Sequence, residues 1–261
     1  MTYCDSSDLN RLPGRRLEKE DTFNFRCHPQ VACFNRCCRN LNLFLYPYDV
    51  LRLRKRLQIT SGQFLDAYVD VILREGDSFP EVLLRMSDNA ERTCPFLSKD
   101  GCSVYPDRPD TCRTFPVEMG RLFDATSDTF RTVWLFRPPE FCQGQYETTR
   151  WTPQTWARDQ EAETYNRMTV QWAEIRSLFQ SDPWGAEGPE GPRAKMAFMA
   201  AYNIDRFAEF VFKSTFLKRY RIKPACLKQI RRGNEAELLL LGFEWIRLFL
   251  WGQKPRRFMP R

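Results

Sequence analysis

The sequence predicts an α+β protein dominated by helix: an irregular, cysteine-rich N-terminal half with short strands, followed by an all-helical C-terminal half. Three observations carry that expectation. Eight of the ten cysteines fall between residues 27 and 142, in segments rich in turn-forming proline and glycine. Short runs of β-branched and aromatic residues lie between them. From Thr152 onward, long stretches repeat apolar residues at helical spacing. The expected domains are residues 1–150, carrying the cysteines, and 151–261, a helical domain with a loop near 181–193.

Each element follows from a local pattern. In YPYDVLRLRKRLQI (46–59), Val50, Leu51, Leu53 and Leu57 alternate with basic residues, and Pro47 and Asp49 suit a helix start. In TSGQFLDAYVDVIL, Thr60 or Ser61 can cap a second helix carrying Phe64, Leu65, Tyr68, Val69 and Ile72 on one side. EVLLRMS (81–87) reads as a strand, and VEMGRLF with TFRTVWLF as a hairpin. Pro153, at a helix N1 position, opens a run to about Gln180 without glycine or further proline, which predicts one long helix. SDPWGAEGPEGPR (181–193) must be a loop. KMAFMAAYNIDRFAEFVFKSTFLKRY and NEAELLLLGFEWIRLFLW read as helices, the second capped by Asn234, and KPRRFMPR as a basic tail.

At 261 residues and 43% hydrophobic content, the chain can build a core without covalent staples. Its N-terminus is polar, which predicts a cytoplasmic protein with reduced thiols. The longest apolar stretch, 238–251, is interrupted by Glu244 and Arg247 and falls short of the ~20 residues of a bilayer span, so no membrane span is expected. A formal charge of +7 gives weak attraction to acidic partners. Eight basic residues and no acid lie between Lys213 and Arg232, interleaved with Phe216 and Tyr220. The expected arrangement is a helix with aromatics turned to the core and bases to water, so nucleic acid is not an expected partner. Partners are otherwise an unidentified protein or small molecule.

The cysteines form three groups: CHPQVACFNRCC, CPFLSKDGCSVYPDRPDTC and FCQG. This clustering points to metal ligation by Cys27, Cys33, Cys37, Cys38, Cys94, Cys102, Cys112 and Cys142, whereas Cys4 and Cys226 read as small buried hydrophobes. Thiolates suit zinc, iron and iron–sulfur clusters alike. The chain has no CxxC, which excludes a zinc ribbon and c-type haem attachment. Neighbouring side chains diverge, by about 100° in a helix and to opposite faces in a strand. Cys37 and Cys38 therefore serve different metals, or one bridges a multinuclear cluster, or only one is a ligand. Two divalent ions with eight thiolates would total about −4, a load that Arg26, Arg36, Arg39, Arg92, Arg108 and Arg113 could offset. His28 is the sole histidine, so conventional Cys/His or Ser/His/Asp catalysis has almost no material, and no catalytic residue is assigned.

At FRCHPQVACFNRCC, CPFLSKDGCSVYPDRPDTCRTFP and FCQG the sequence resembles the YkgJ-type cysteine-cluster family, over roughly residues 20–150. The resemblance implies a domain that chelates zinc or iron through those eight cysteines. The first group departs from the family's spacing, with five residues between Cys27 and Cys33 and three between Cys33 and Cys37. A similar cysteine group in flagellin lysine N-methylases implies an alternative, an iron–sulfur-dependent modifying enzyme. No glycine-rich methyl-donor loop accompanies it here.

Overall fold

A computed structural model describes residues 3–4, 13–124 and 129–261, with side chains at 13–121 and 131–261. In chain order it begins with β1 (Tyr3–Cys4), β2 (Arg15–Leu17), β3 (Phe23–Asn24), α1 (Pro47–Arg56), α2 (Ser61–Tyr68), β4 (Val69–Ile72) and β5 (Glu81–Leu84). Then come β6 (Leu97–Ser98), β7 (Gly101–Cys102), α3 (Asp110–Thr114), β8 (Val117–Asp124), β9 (Thr129–Phe136) and β10 (Arg150–Trp151). The rest is α4 (Pro153–Asp159), α5 (Glu163–Phe179), α6 (Pro192–Tyr202), α7 (Ile204–Lys213), α8 (Phe216–Arg219), β11 (Tyr220–Ile222), α9 (Pro224–Arg231), α10 (Glu235–Trp251) and β12 (Phe258–Pro260). Helix outweighs strand, 46% to 16%, in keeping with a helix-dominated α+β chain.

The chain forms two compact units, residues 1–43 with 85–173 and residues 44–84 with 174–261. All eight clustered cysteines belong to the first. Its sheet has the order β1–β8–β9–β2, with β8 and β9 antiparallel from Val117↔Phe136 to Asp124↔Thr129. The expected hairpin is present; residues 125–128 lie outside the described residues. One face of this sheet carries Leu17 and Val117 into a core with Phe23, Phe25, Cys142 and Trp156, flanked by Phe115, Trp134, Phe136 and Trp151. Two indole N–H groups tie that core to backbone: Trp151 donates to Phe25 O and Trp156 to Thr114 O, each at 2.8 Å.

The second unit packs α10 against α1, α6, α7 and α9, and pairs β4 with β5. Helix α1 starts at Pro47 with Asp49 accepting the Tyr46 N–H at 2.9 Å, and Thr60 caps α2 by accepting from Gln63 N. Asn234 caps α10 as its sequence indicates, accepting from Glu237 N. No helix among the described residues is long and apolar enough to cross a membrane.

Four expected helices or tails take other forms. The helix opened by Thr60 ends at Tyr68, because β-branched Val69, Val71 and Ile72 go extended and pair with Leu84, Val82 and Glu81. The run from Pro153 breaks at Gln160–Ala162, where Glu161 adopts φ 52 and Ala162 N bonds back to Ala157 O at 2.8 Å, a left-handed helix stop made without glycine. Asn203 divides the next run, capping α7 by accepting from Arg206 N. The C-terminal half is also not all helical. Residues 258–260 pair antiparallel with 220–222, and Phe258 is buried against Phe216 and Tyr220. A single aromatic turned inward thus makes the apparent basic tail part of the fold.

Replacing Phe258 by Ala should destabilise the protein by about 3–5 kcal/mol, the usual cost of deleting a buried phenyl ring. Met259→Ala, at a position 45% exposed, should stay within about 0.5 kcal/mol. Denaturant melts of the two variants check the contrast.

Candidate metal centre

The segment holding Cys27, Cys33, Cys37 and Cys38 is a series of tight turns: Val31 N–H bonds to His28 O, Phe34 N–H to Val31 O and Arg36 N–H to Cys33 O. A 3-10 turn at Arg36–Cys38 follows, entered through Asn35 at φ 61. From there the backbone is joined to the segment that begins the second cysteine group. Cys94 N–H donates to Cys38 O at 2.8 Å, Asn40 N–H donates to Arg92 O at 2.9 Å, and Arg39 bridges to Thr93. Strands β6 and β7 then pair Leu97 with Cys102, returning Cys102 to the neighbourhood of Cys94. Gly101, at φ +114, makes that tight return, a conformation L side chains rarely adopt.

Cys142 reaches the first group by a separate contact. Arg26 N–H donates to Gly144 O, and Gln143 N–H donates to the Cys33 Sγ at 3.1 Å. Gly144 lies so close to the Phe25–Arg26 backbone that an added Cβ would stand 2.7 Å from Arg26 O and 3.0 Å from the Phe25 ring. No sequence motif identifies this glycine as special, since the requirement comes from a segment more than a hundred residues away.

The charges of the thiols divide the eight into two neighbourhoods. Cys27 is pushed up to about 11 by burial and then by the charges of Cys37, Cys33 and Cys142. Cys142 is raised by burial, Cys33 and Cys37. Cys33 and Cys37 thus act on both Cys27 and Cys142. On the other side, Cys38 is raised by the hydrogen bond it donates to Cys37, by burial, and by the charges of Cys37, Cys112 and Cys94. Cys94 is pushed up to about 11 by burial, with Cys102 as its thiol neighbour, and burial also raises Cys102. Cys37 acts on thiols of both groups, raising Cys27 and Cys142 by its charge and Cys38 by its charge and the hydrogen bond. Accepting from the Cys38 thiol holds Cys37 down at about 7, the reverse of its neighbours.

Backbone N–H groups face several of these sulfurs at a repeating offset. Phe96 and Leu97 N–H serve Cys94, Val104 N–H serves Cys102, and Gly144 and Gln145 N–H serve Cys142, each favouring the thiolate. Donors two and three residues ahead are the geometry by which a turn solvates a negative sulfur in place of water. All nine cysteines among the described residues are free thiols. Among those residues, no group of three or more His, Cys, Asp or Glu is already arranged to hold a metal ion. The thiols are thus near enough to repel one another without being gathered on a common point. Repulsion between like groups opposes that last approach, and a bound cation removes it.

Of the six arginines singled out in the sequence, Arg39 lowers Cys37 and is paired to Glu91 at 3.2 Å. Arg108 lowers Cys102, and it feels Cys112 as well. Arg113 is buried and structural: its guanidinium donates to Gln160 O and Pro106 O, each at 2.6 Å, and covers the Tyr165 ring. Arg108 donates to the Gln160 side chain at 2.7 Å. Both arginines of RPDTCR therefore anchor the Cys112 segment on Gln160, whose carbonyl is available because the helix stops there. Arg36 lies over Phe141, and Arg26 and Arg92 are exposed. His28 bonds through Nδ1 to Gln30 at 2.7 Å and places Nε2 3.5 Å from Glu147, a hydrogen-bonding role. Cys226, in α9, is buried beside Glu237 and pushed up to about 12, mainly by burial. The side chain of Cys4 lies outside the described residues.

Tight turns, clustered thiols and N–H groups aimed at sulfur define a cysteine-rich, loop-built domain. Residues 26–155 match a family model, CxxCxxCC, described as "Putative zinc- or iron-chelating domain", and this stretch is a domain of the CxxCxxCC family. No curated protein and no solved structure matches the chain.

Gly144→Ala should cost about 1–3 kcal/mol, because backbone and a packed ring of the facing segment must give way. It should also weaken metal retention by the set containing Cys142 while sparing the other. Metal content per folded chain, measured after gel filtration, checks this outcome.

Proposed function

We propose that the protein binds zinc or iron through its eight clustered thiolates, as two four-cysteine centres. Cys27, Cys33, Cys37 and Cys142 would hold one, and Cys38, Cys94, Cys102 and Cys112 the other. The reading is carried by two links on either side of the adjacent pair: Cys94 N–H bonded to Cys38 O, and Gln143 N–H bonded to the Cys33 sulfur, which brings Cys142 to the first group. A lone tetrahedral centre cannot use both members of such a pair comfortably, whereas two centres can take one each. The donor set fits thiophilic metals, and the turn N–H groups would continue to stabilise sulfur charge after binding. Arg39 and Arg108, one beside each set, would offset part of the charge of about −4 left by eight thiolates and two divalent ions. A reducing compartment such as the cytoplasm would keep the thiols available.

Bound metal would supply the cross-links that the loops lack. The chain's own residues then have three tasks: the turns present sulfur, the backbone donors hold it as thiolate, and Arg108 and Arg113 fix the Cys112 segment. The modifying-enzyme reading rests on resemblance alone.

Anaerobic purification with metal analysis and a visible spectrum tests the proposal. Stoichiometric zinc in a colourless protein, or iron in a coloured one, would support it, with labile sulfide marking an iron–sulfur form. A folded, fully reduced, metal-free protein that takes up neither metal would overturn it. The partition makes a sharper demand. Cys33→Ser or Cys142→Ser should each remove one centre's metal, and Cys94→Ser or Cys102→Ser the other's, with the first-set double variant no worse than its singles. Cys226→Ser should retain both. Chelation should lower the melting temperature of the wild type, since metal binding and local folding share one free energy.

A further inference from the structure

The second unit places two acid-free basic segments side by side. Residues 213–232 hold eight Lys or Arg and no acid, and residues 252–261 hold four and no acid. In sequence these lie on either side of α10. In the structure β11 and β12 pair antiparallel in the register Tyr220↔Pro260, Arg221↔Met259 and Ile222↔Phe258. Hydrogen bonds from Arg261 N–H to Arg219 O and from Lys223 N–H to Arg257 O continue the pairing at both ends.

Directly paired residues share a face of a ribbon, and faces alternate along each strand. Ile222 and Phe258 are buried, so Arg221 and Met259 point the other way and are exposed. Exposed Arg219, Lys223 and Arg261 flank them. The nearby ion pairs hold Lys213 to Glu209 and Arg257 to Glu237 and Glu244. None of Arg219, Arg221, Lys223 and Arg261 has such a partner among the described residues. A folded surface ordinarily intersperses both signs of charge, because single-sign patches repel themselves. The cationic ribbon leaves that repulsion uncompensated within its own segments, as a surface kept for an external polyanion would.

We propose that this ribbon binds the phosphate backbone of duplex DNA, without reading base sequence. Closely spaced phosphates match a row of bases on a short, rigid two-stranded element, and each contact releases condensed counterions. Among the described residues, Met259 is the one large apolar side chain exposed on the ribbon, beside the smaller Pro260, too little apolar area to favour insertion into a lipid interface.

The full-length protein is titrated into a short, mixed-sequence DNA duplex labelled for fluorescence anisotropy, over a series of salt concentrations. Binding at low salt with log affinity falling linearly in log salt is expected. The variant Arg219→Gln/Arg221→Gln/Lys223→Gln should reduce the magnitude of that slope by about 3, since each phosphate left unneutralised removes about 0.9. Arg221→Lys should keep the wild-type slope. If the triple variant does not fold, Arg221→Gln alone carries the test, with a change of about 1 in slope. No binding at low salt, binding indifferent to salt, or an unchanged slope in the folded variants would overturn the proposal. So would stronger binding to phosphatidylserine vesicles or polyglutamate than to DNA at the same salt.

Discussion

Neighbouring side chains tend to diverge along a backbone, yet the thiols of Cys37 and Cys38 stay close enough to share a hydrogen bond, and the cysteine-bearing unit is arranged around that pair. The charge of Cys37 raises Cys27 and Cys142, and Cys38 is raised by Cys112 and Cys94. Everything that surrounds them serves to bring other segments to two sides of one short turn. The Cys94 N–H bonded to Cys38 O fixes one side, and the Gln143 N–H bonded to the Cys33 sulfur fixes the other. Without those two links the remaining cysteines would belong to unrelated loops.

A loop-built site has to replace the stiffness that a helix or strand would provide. Here aromatic packing supplies part of it, since Cys142 sits in a core with Phe23, Phe25 and Trp156. Buried arginine supplies more. Arg113 directs hydrogen bonds to the backbone carbonyls of Gln160 and Pro106, so it braces the Cys112 segment. Gln160 joins the two roles: the left-handed stop after α4 exposes its carbonyl to Arg113, and its side chain meets Arg108. A continuous helix from Pro153 would have used that carbonyl internally.

Some features were legible because their causes are local. Thr60 and Asn234 cap helices, Pro47 and Pro153 open them, and TFRTVWLF pairs with VEMGRLF, all from chemistry within a few residues. Other features misled because the local signal was overruled at a distance. Val69–Ile72 continues an apolar helical pattern yet pairs with 81–84, and KPRRFMPR looks like a solvated tail although Phe258 is buried. Gly144 gave no sign at all. Its constraint is a carbonyl contributed by Arg26.

The amino-acid sequence by itself determined the inventory: eight thiols in three groups, their turn-forming surroundings, and an adjacent pair whose side chains tend to diverge. That follows because residue spacing and neighbour divergence are properties of the backbone alone. Tertiary structure decided which segments meet. The approach of the 94–102 segment to Cys38 and of Gln143 to Cys33 depends on hydrogen bonds between segments far apart in the chain, as does the meeting of two basic stretches in the β11–β12 ribbon. Contacts of that kind are set by the packing of the whole unit, which no short window of sequence encodes.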